Sequence, residues 1–174
     1  MDRYLEQARV ILDDAVKGMT DEQLAAARDE KWSAAQIIEH LSLAFGATAA
    51  GMERNVNAER LEIRPRSMRD RVATFAVTGL SYIPTGRKAP EYTVPSGLPP
   101  QEALRKLHEN LAAMDEAITR AEQKWGNRII GLHPVLGPLK PDQWRKFHLV
   151  HARHHARQIV AIKAAGQGSA RAAA

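Results

Sequence analysis

Four of the seven histidines in this 174-residue chain fall within "FHLVHARHHARQI", from Phe147 to Ile159: His148, His151, His154 and His155. Imidazole is a metal ligand, a proton carrier near neutral pH and a weak cation. The cluster therefore reads as a metal site on a helix, a pH-sensitive surface, a nucleic-acid patch or a basic helix that happens to use histidine. Spacing narrows the choice. His151 and His155 are four apart, so on a helix their rings stand one turn from each other on one face, in reach of a single ion at about 2.0–2.1 Å from each nitrogen. Such a pair also arises by chance on basic helices, and the question becomes whether a third ligand faces it. His40, in "IIEHLSLAF", lies at the border of an apolar stripe. It reads either as a partly buried, hydrogen-bonded histidine or as the third nitrogen of a site with positions left for water, the form of a catalytic zinc site.

There is no cysteine, which excludes a disulfide framework, a thiolate metal site and a cysteine nucleophile; any metal must be held by nitrogen and oxygen. The composition, 44% hydrophobic and 26% charged with aromatics at 5%, is that of a globular chain, and its alanine content favours closely packed helices. The N-terminus, "MDRYLEQARVILDDAVKGM", has neither a signal-peptide nor a membrane-span pattern, so a soluble cytoplasmic protein is expected. A net charge of +5 invites a nucleic-acid reading. However, the basic residues are dispersed among Glu and Asp, as in "EALRKLHENLAAMDEAITRAEQK", and read as the solvated sides of amphipathic helices.

The elements that must position the histidines show a 3.6-residue period. Leu5, Ala8, Ile11, Leu12 and Val16 make one stripe, which predicts a first helix from Asp2 to about Met19. Thr20 with Gln23 reads as a capping box opening a short turn that leads to Trp32. Ser33 caps a second long helix to about residue 60, with Ile38, Leu41, Phe45, Thr48, Met52 and Val56 on one face and small residues from Ala44 to Gly51 suited to close approach. From Arg60 to Pro100 the pattern breaks. "RSMRDRVATFAVTGL" reads as a short helix, followed by turns at Pro84, Gly86, Pro90, Pro95, Gly97, Pro99 and Pro100. A third long helix follows Pro100 with Leu104, Leu107, Leu111, Met114, Ile118 and Ala121 on its stripe, then a Gly- and Pro-punctuated turn, then a last helix from Pro141. Four long amphipathic helices without a convincing strand predict an all-α four-helix bundle with a long Pro-rich connection between the second and third helices. Residues 1–165 form a single domain in this reading, and 166–174 a disordered tail.

"WSAAQIIEHL", followed far downstream by "HPVLGPLKPDQWRKFHLVHARHHARQI", resembles the DinB/YfiT-like superfamily of metal-binding four-helix proteins, from about residue 5 to residue 163. The shared signs are a Trp-Ser helix start with a histidine eight residues after the tryptophan, an "HPxxG" turn and a last helix reading "HxxxHxxQI". The resemblance implies that His40, His151 and His155 are the metal ligands, and that the ion is divalent, Zn or Ni. It also implies chemistry: the superfamily includes thiol S-transferases, which use low-molecular-weight thiols such as bacillithiol or mycothiol, and metal-dependent hydrolases. The expected function is a divalent-metal-dependent enzyme that activates a bound thiol or water for S-transfer or hydrolysis on a small-molecule substrate. The competing reading is a non-catalytic metal or small-molecule binding protein of a stress response, since the sequence names no acid or base of its own.

Other polar residues receive plainer readings. His154 is expected on the helix flank beside the ligands, with competition as a ligand the alternative, and Gln158 is expected either to hydrogen-bond a ligand or a bound water or to be a polar packing residue. His133 is expected to fix its turn, His148 to border the site or the surface, and His108 and Glu39 to face solvent. Arg64 and Arg66 are candidates for selecting an anionic ligand over the site, and Trp144 is a core anchor or a wall of the site. No nucleic-acid or membrane partner is expected, whereas a homodimer is, from the small-residue face of the second helix.

Overall fold

The computed structural model describes residues 1–27, 31–83 and 88–172, the side chains of the last helix only to Gly166. The protein is mostly helical. Four long helices dominate: α1 (Arg3–Val16), α3 (Ala34–Asn57), α5 (Pro100–Trp125) and α6 (Pro141–Ala172). Short elements join them: α2 (Asp21–Ala25), α4 (Met68–Thr74) with a π-helical turn at Phe75–Gly79, a 3-10 turn at Glu91–Thr93, and a hairpin of β1 (Gly131–His133) and β2 (Gly137–Leu139).

The caps explain where the helices start. Thr20 and Gln23 form the reciprocal capping box expected of them, and Ser33 forms a second box with Gln36 at the head of α3. Proline opens both α5 and α6, where its missing N–H has no partner to lose. The predicted stripes are the buried faces: Leu5, Ala8 and Leu12 of α1, Ile38, Leu41, Phe45 and Met52 of α3, and Leu107, Leu111, Met114 and Ile118 of α5 are all within 2% of full burial.

Pairwise contacts give the helix directions. Asn110 of α5 donates to Ser42 of α3, and Trp125 further along α5 donates to Asn55 further along α3, so the two helices run parallel. Gly46 faces this seam, where a Cβ would stand 3.2 Å from the Asn110 amide, whereas Ala47 and Ala50 of the same small-residue run are exposed. Helices α1 and α6 are also parallel, since Arg153 reaches Gln7 and Lys163 reaches the Lys17 carbonyl. By contrast α6 runs antiparallel to α3: His151 meets His40, and the earlier His148 meets the later Thr48. Parallel neighbours cannot be joined by a tight turn. The chain leaving α3 must travel back along a helix about 36 Å long before α5 can begin, which gives a physical reason for the long connection.

Three expectations change. The segment after Trp125 was expected to hold no strand, yet Gly131–Leu139 pairs antiparallel in register Gly131 with Leu139. His133 Nδ1 accepts from the N–H groups of Val135 and Leu136, and Gly137 takes φ +74, which together close the turn. The helix α6 continues to Ala172, past the expected boundary at residue 165, although Gly166 and Gly168 in that stretch are poor helix formers. Glu39 does not face solvent, as shown below. Residues 28–30 of the turn before Trp32, the predicted turn formers Pro84 and Gly86, and the last two residues of the expected disordered tail lie outside the described residues.

Candidate metal centre

α3 carries His40 just inside its N-terminal half, and the antiparallel approach of α6 brings His151 and His155 opposite it. His40 and His155 are buried, at 5% and 8% exposure, while His151 is half-buried. The three Nε2 atoms converge: His40 to His151 at 3.4 Å and His151 to His155 at 3.0 Å. Nitrogens held at 2.0–2.1 Å around one tetrahedral ion are about 3.3 Å apart.

Hydrogen bonding fixes which nitrogens are free. His40 Nδ1 donates to the Thr93 carbonyl at 2.8 Å, and His155 Nδ1 donates to Gln158 Oε1 at 2.8 Å. In a neutral ring only one nitrogen bears hydrogen, so the Nε2 of both residues presents a lone pair to the centre. His151 can offer at most one N–H between those two lone pairs, and its own Nδ1 is buried without a hydrogen-bond partner. One proton cannot satisfy this arrangement; a cation at the convergence point satisfies all three nitrogens. The donor set therefore fits a divalent metal of the borderline class that imidazole prefers.

The electrostatics keep the rings neutral. Burial pushes the His155 pKa down to about 3, aided by His40, and burial also lowers His40 against the opposing pull of the Thr93 carbonyl. His151 is held well below the ordinary histidine range, first by burial and then by its neighbours His155 and His40. Neutral imidazole is the metal-binding form, so no proton need leave at neutral pH.

The remaining expected residues fall into place around this group. Gln158 spans His155 and His154, with its Nε2 3.3 Å from His154 Nε2; His154 meets the group through this amide and through the edge of the His155 ring. His148 is neither on the surface nor part of the group. It is fully buried against Phe45 and bonded to Thr48 Oγ1 at 3.0 Å. His108, half-exposed, pairs with Asp13 at 2.8 Å. Trp144 is a core residue, 5% exposed and stacked on His148, whereas Trp32 lies 5.1 Å from the His40 ring.

Arg64 and Arg66 are committed elsewhere. Arg64 forms a two-pronged pair with Asp70, and Arg66 donates to the Pro138 carbonyl and to Gln143. Both guanidiniums are thus anchored at the edge of the hairpin and α4 rather than bonded to a residue of the histidine group. Two surface clefts, of about 770 and 430 Å³, are lined by residues around Asp115 and Arg145 and around Asp14 and Arg157, and neither includes a residue of the histidine group.

Sequence reasoning missed Glu39. Its carboxylate is 2% exposed and accepts four hydrogen bonds: Ser96 N and Oγ to Oε1 at 2.8 and 2.7 Å, and Gly97 N and Leu98 N to Oε2 at 2.9 Å each. Those bonds outweigh the burial that would raise its pKa, which lies below the ordinary carboxylate value. Nothing near Glu39 in sequence signals this, because every donor comes from a segment 57 to 59 residues away.

A helical protein with three inward-facing histidines from two antiparallel helices defines a class, that of bundles with an imidazole group able to hold a metal ion. The chain belongs to the DinB superfamily, whose family model matches residues 4–159. No curated protein and no solved structure matched the chain.

Proposed function

We propose that this protein is a divalent-metal-dependent enzyme built on a four-helix bundle, with His40, His151 and His155 as the ligands of Zn or Ni. It would act on a small molecule by S-transfer or hydrolysis, with a low-molecular-weight thiol as the leading co-substrate. One observation carries the reading: the convergence of three neutral imidazoles whose free nitrogens have no other use. Held by uncharged ligands, such an ion keeps its double charge, which lowers the pKa of bound water toward about 7 and favours a thiolate over a thiol. The chain itself orients the rings through Thr93 and Gln158 and excludes water from two of the three.

A cytoplasmic setting, where such thiols are kept reduced, suits this chemistry; among the described residues no helix is long and apolar enough to cross a membrane. Nucleic acid is not a proposed partner. Arg9, Arg105, Arg120 and Lys146 are each paired with carboxylates rather than forming a free basic face. A homodimer remains part of the proposal, through the small-residue face of α3, and a second apolar stripe is offered by Met68 and Val72 of α4 with Phe75 of the following π-helical turn, 74%, 65% and 63% exposed. Sedimentation equilibrium giving a monomer would remove it.

Metal analysis of the purified protein beside His40→Ala, coupled to a thiol-transfer assay with a generic electrophile, tests the main reading. The wild type should carry about one equivalent of Zn or Ni and turn over, and the variant should do neither. Wild type with no bound metal, and no rise in melting temperature on adding Zn or Ni, would defeat it. The burial of His40 and His155 favours a second reading, a non-catalytic binding protein for metal or a small molecule. A cobalt-substituted form whose spectrum is unchanged by added thiol or anion would favour that reading over the enzyme.

A further inference from the structure

We infer that Glu39 is a positioning residue for the histidine group, acting through the chain segment that orients His40; this rests on the metal-binding reading above. Glu39 and His40 are consecutive on α3 and face the same piece of the crossover connection. His40 is bonded to the carbonyl of Thr93, and Glu39 to the three successive N–H groups of Ser96, Gly97 and Leu98. Between them lie only Val94 and Pro95, whose ring restricts the backbone.

The two attachments differ in strength. A single carbonyl bonded to a ring N–H is a weak hold on a segment that must cross the molecule. A buried carboxylate wrapped by three backbone N–H groups and a hydroxyl is a strong one, because each bond is charge-assisted and shielded from water. Gly97, at φ +94, permits the wrap. The 3-10 turn is locked from its other side by Thr93 N and Oγ1, both donating to the Pro90 carbonyl. Thr93 is consequently held between its own turn and the Glu39 anchor. The orientation of its carbonyl fixes the His40 tautomer that leaves Nε2 free. Glu39 touches no ligand atom, yet without it the acceptor that aims His40 is free to drift. Linkage makes the effect reciprocal: metal on His40 should in turn quiet the 96–98 backbone.

The test uses the full metal-free chain as wild type, Glu39→Gln, Ser96→Ala and His40→Ala. Zinc affinity is measured by competition with a chelator, and amide exchange at residues 96–98 is followed with and without zinc. Glutamine replaces one acceptor oxygen with a donor that the N–H groups cannot use. Glu39→Gln should therefore weaken zinc binding about 10- to 100-fold and abolish the zinc-dependent slowing of exchange at Ser96, Gly97 and Leu98 that the wild type shows. A role confined to folding would not produce that loss of coupling. Unchanged affinity in Glu39→Gln, with faster exchange at 96–98, overturns the inference. Should that variant fail to fold, Ser96→Ala removes one hydroxyl donor and carries the test: weakened zinc-dependent protection is expected, and unchanged protection overturns it. Zinc binding by His40→Ala as tight as wild type would instead strike the metal-binding reading itself.

Discussion

Gln158 shows how much one exposed side chain can decide. Its amide oxygen accepts from His155 Nδ1 and so fixes the tautomer that points Nε2 into the group. Outer partners of this kind are worth about 10- to 100-fold in metal affinity. Gln158→Ala should lose affinity in that range by competition titration, whereas His154→Ala should leave it nearly unchanged, because His154 touches only the amide of Gln158 and the edge of the His155 ring. Equal losses in the two variants would mean that His154 is itself a ligand. His148 makes the opposite case. Its place in the histidine run suggests a shared role, but its ring is sealed among Phe45, Trp144 and Phe147 with one hydrogen bond to Thr48, and it serves packing.

Among the elements, the hairpin and the crossover each depend on a glycine, for different reasons. Gly137 takes φ +74, and a Cβ there would stand 2.3 Å from Asp70 Oδ1, the same carboxylate that Arg64 and Ser67 hold in place. Gly97 takes φ +94 with nothing within 4 Å of the added carbon. Gly97→Ala should cost backbone strain alone, about 1–2 kcal/mol. Gly137→Ala should cost more, since the ion pair must also shift. Thermal unfolding of the two variants orders the costs; equal losses would show that Asp70 yields freely. The start of α3 is a third case of local determination. The Ser33–Gln36 box opens the helix that carries both Glu39 and His40, and it was half visible as an expected serine cap.

At the scale of the whole molecule, the half-buried His133 and the fully buried His148 couple stability to acid. His133 and His148 have folded pKa values of about 4 and about 3, both lowered chiefly by burial, against 6.5 for the free side chain. The unfolded chain takes up these protons first, so stability is flat above pH 6.5 and falls as pH drops toward the folded values. Each histidine contributes a slope of up to about 1.4 kcal/mol per pH unit in that window. Urea unfolding of the metal-free protein should show its midpoint falling steadily between pH 6.5 and 4. A midpoint independent of pH there would mean that these rings are protonated within the fold.

The sequence by itself determined what is local: the apolar stripes, the capping residues, the prolines that open α5 and α6, and the one-turn spacing of His151 and His155. Each follows from backbone hydrogen bonds and side-chain periods that span a few residues. His40 was legible as a partner through its resemblance to a known pattern, since spacing alone left it a choice between ligand and hydrogen-bonded core residue. Only the tertiary structure decided that α3 and α5 run parallel, so that a long segment must return across the group and can be used to aim His40. It alone decided that Glu39 turns inward and that Arg64 and Arg66 turn to Asp70, Pro138 and Gln143. A charge left unpaired in sequence reads as solvent-facing because burial without partners is costly. Partners that arrive from dozens of residues away reverse that sign, and no local pattern records their arrival.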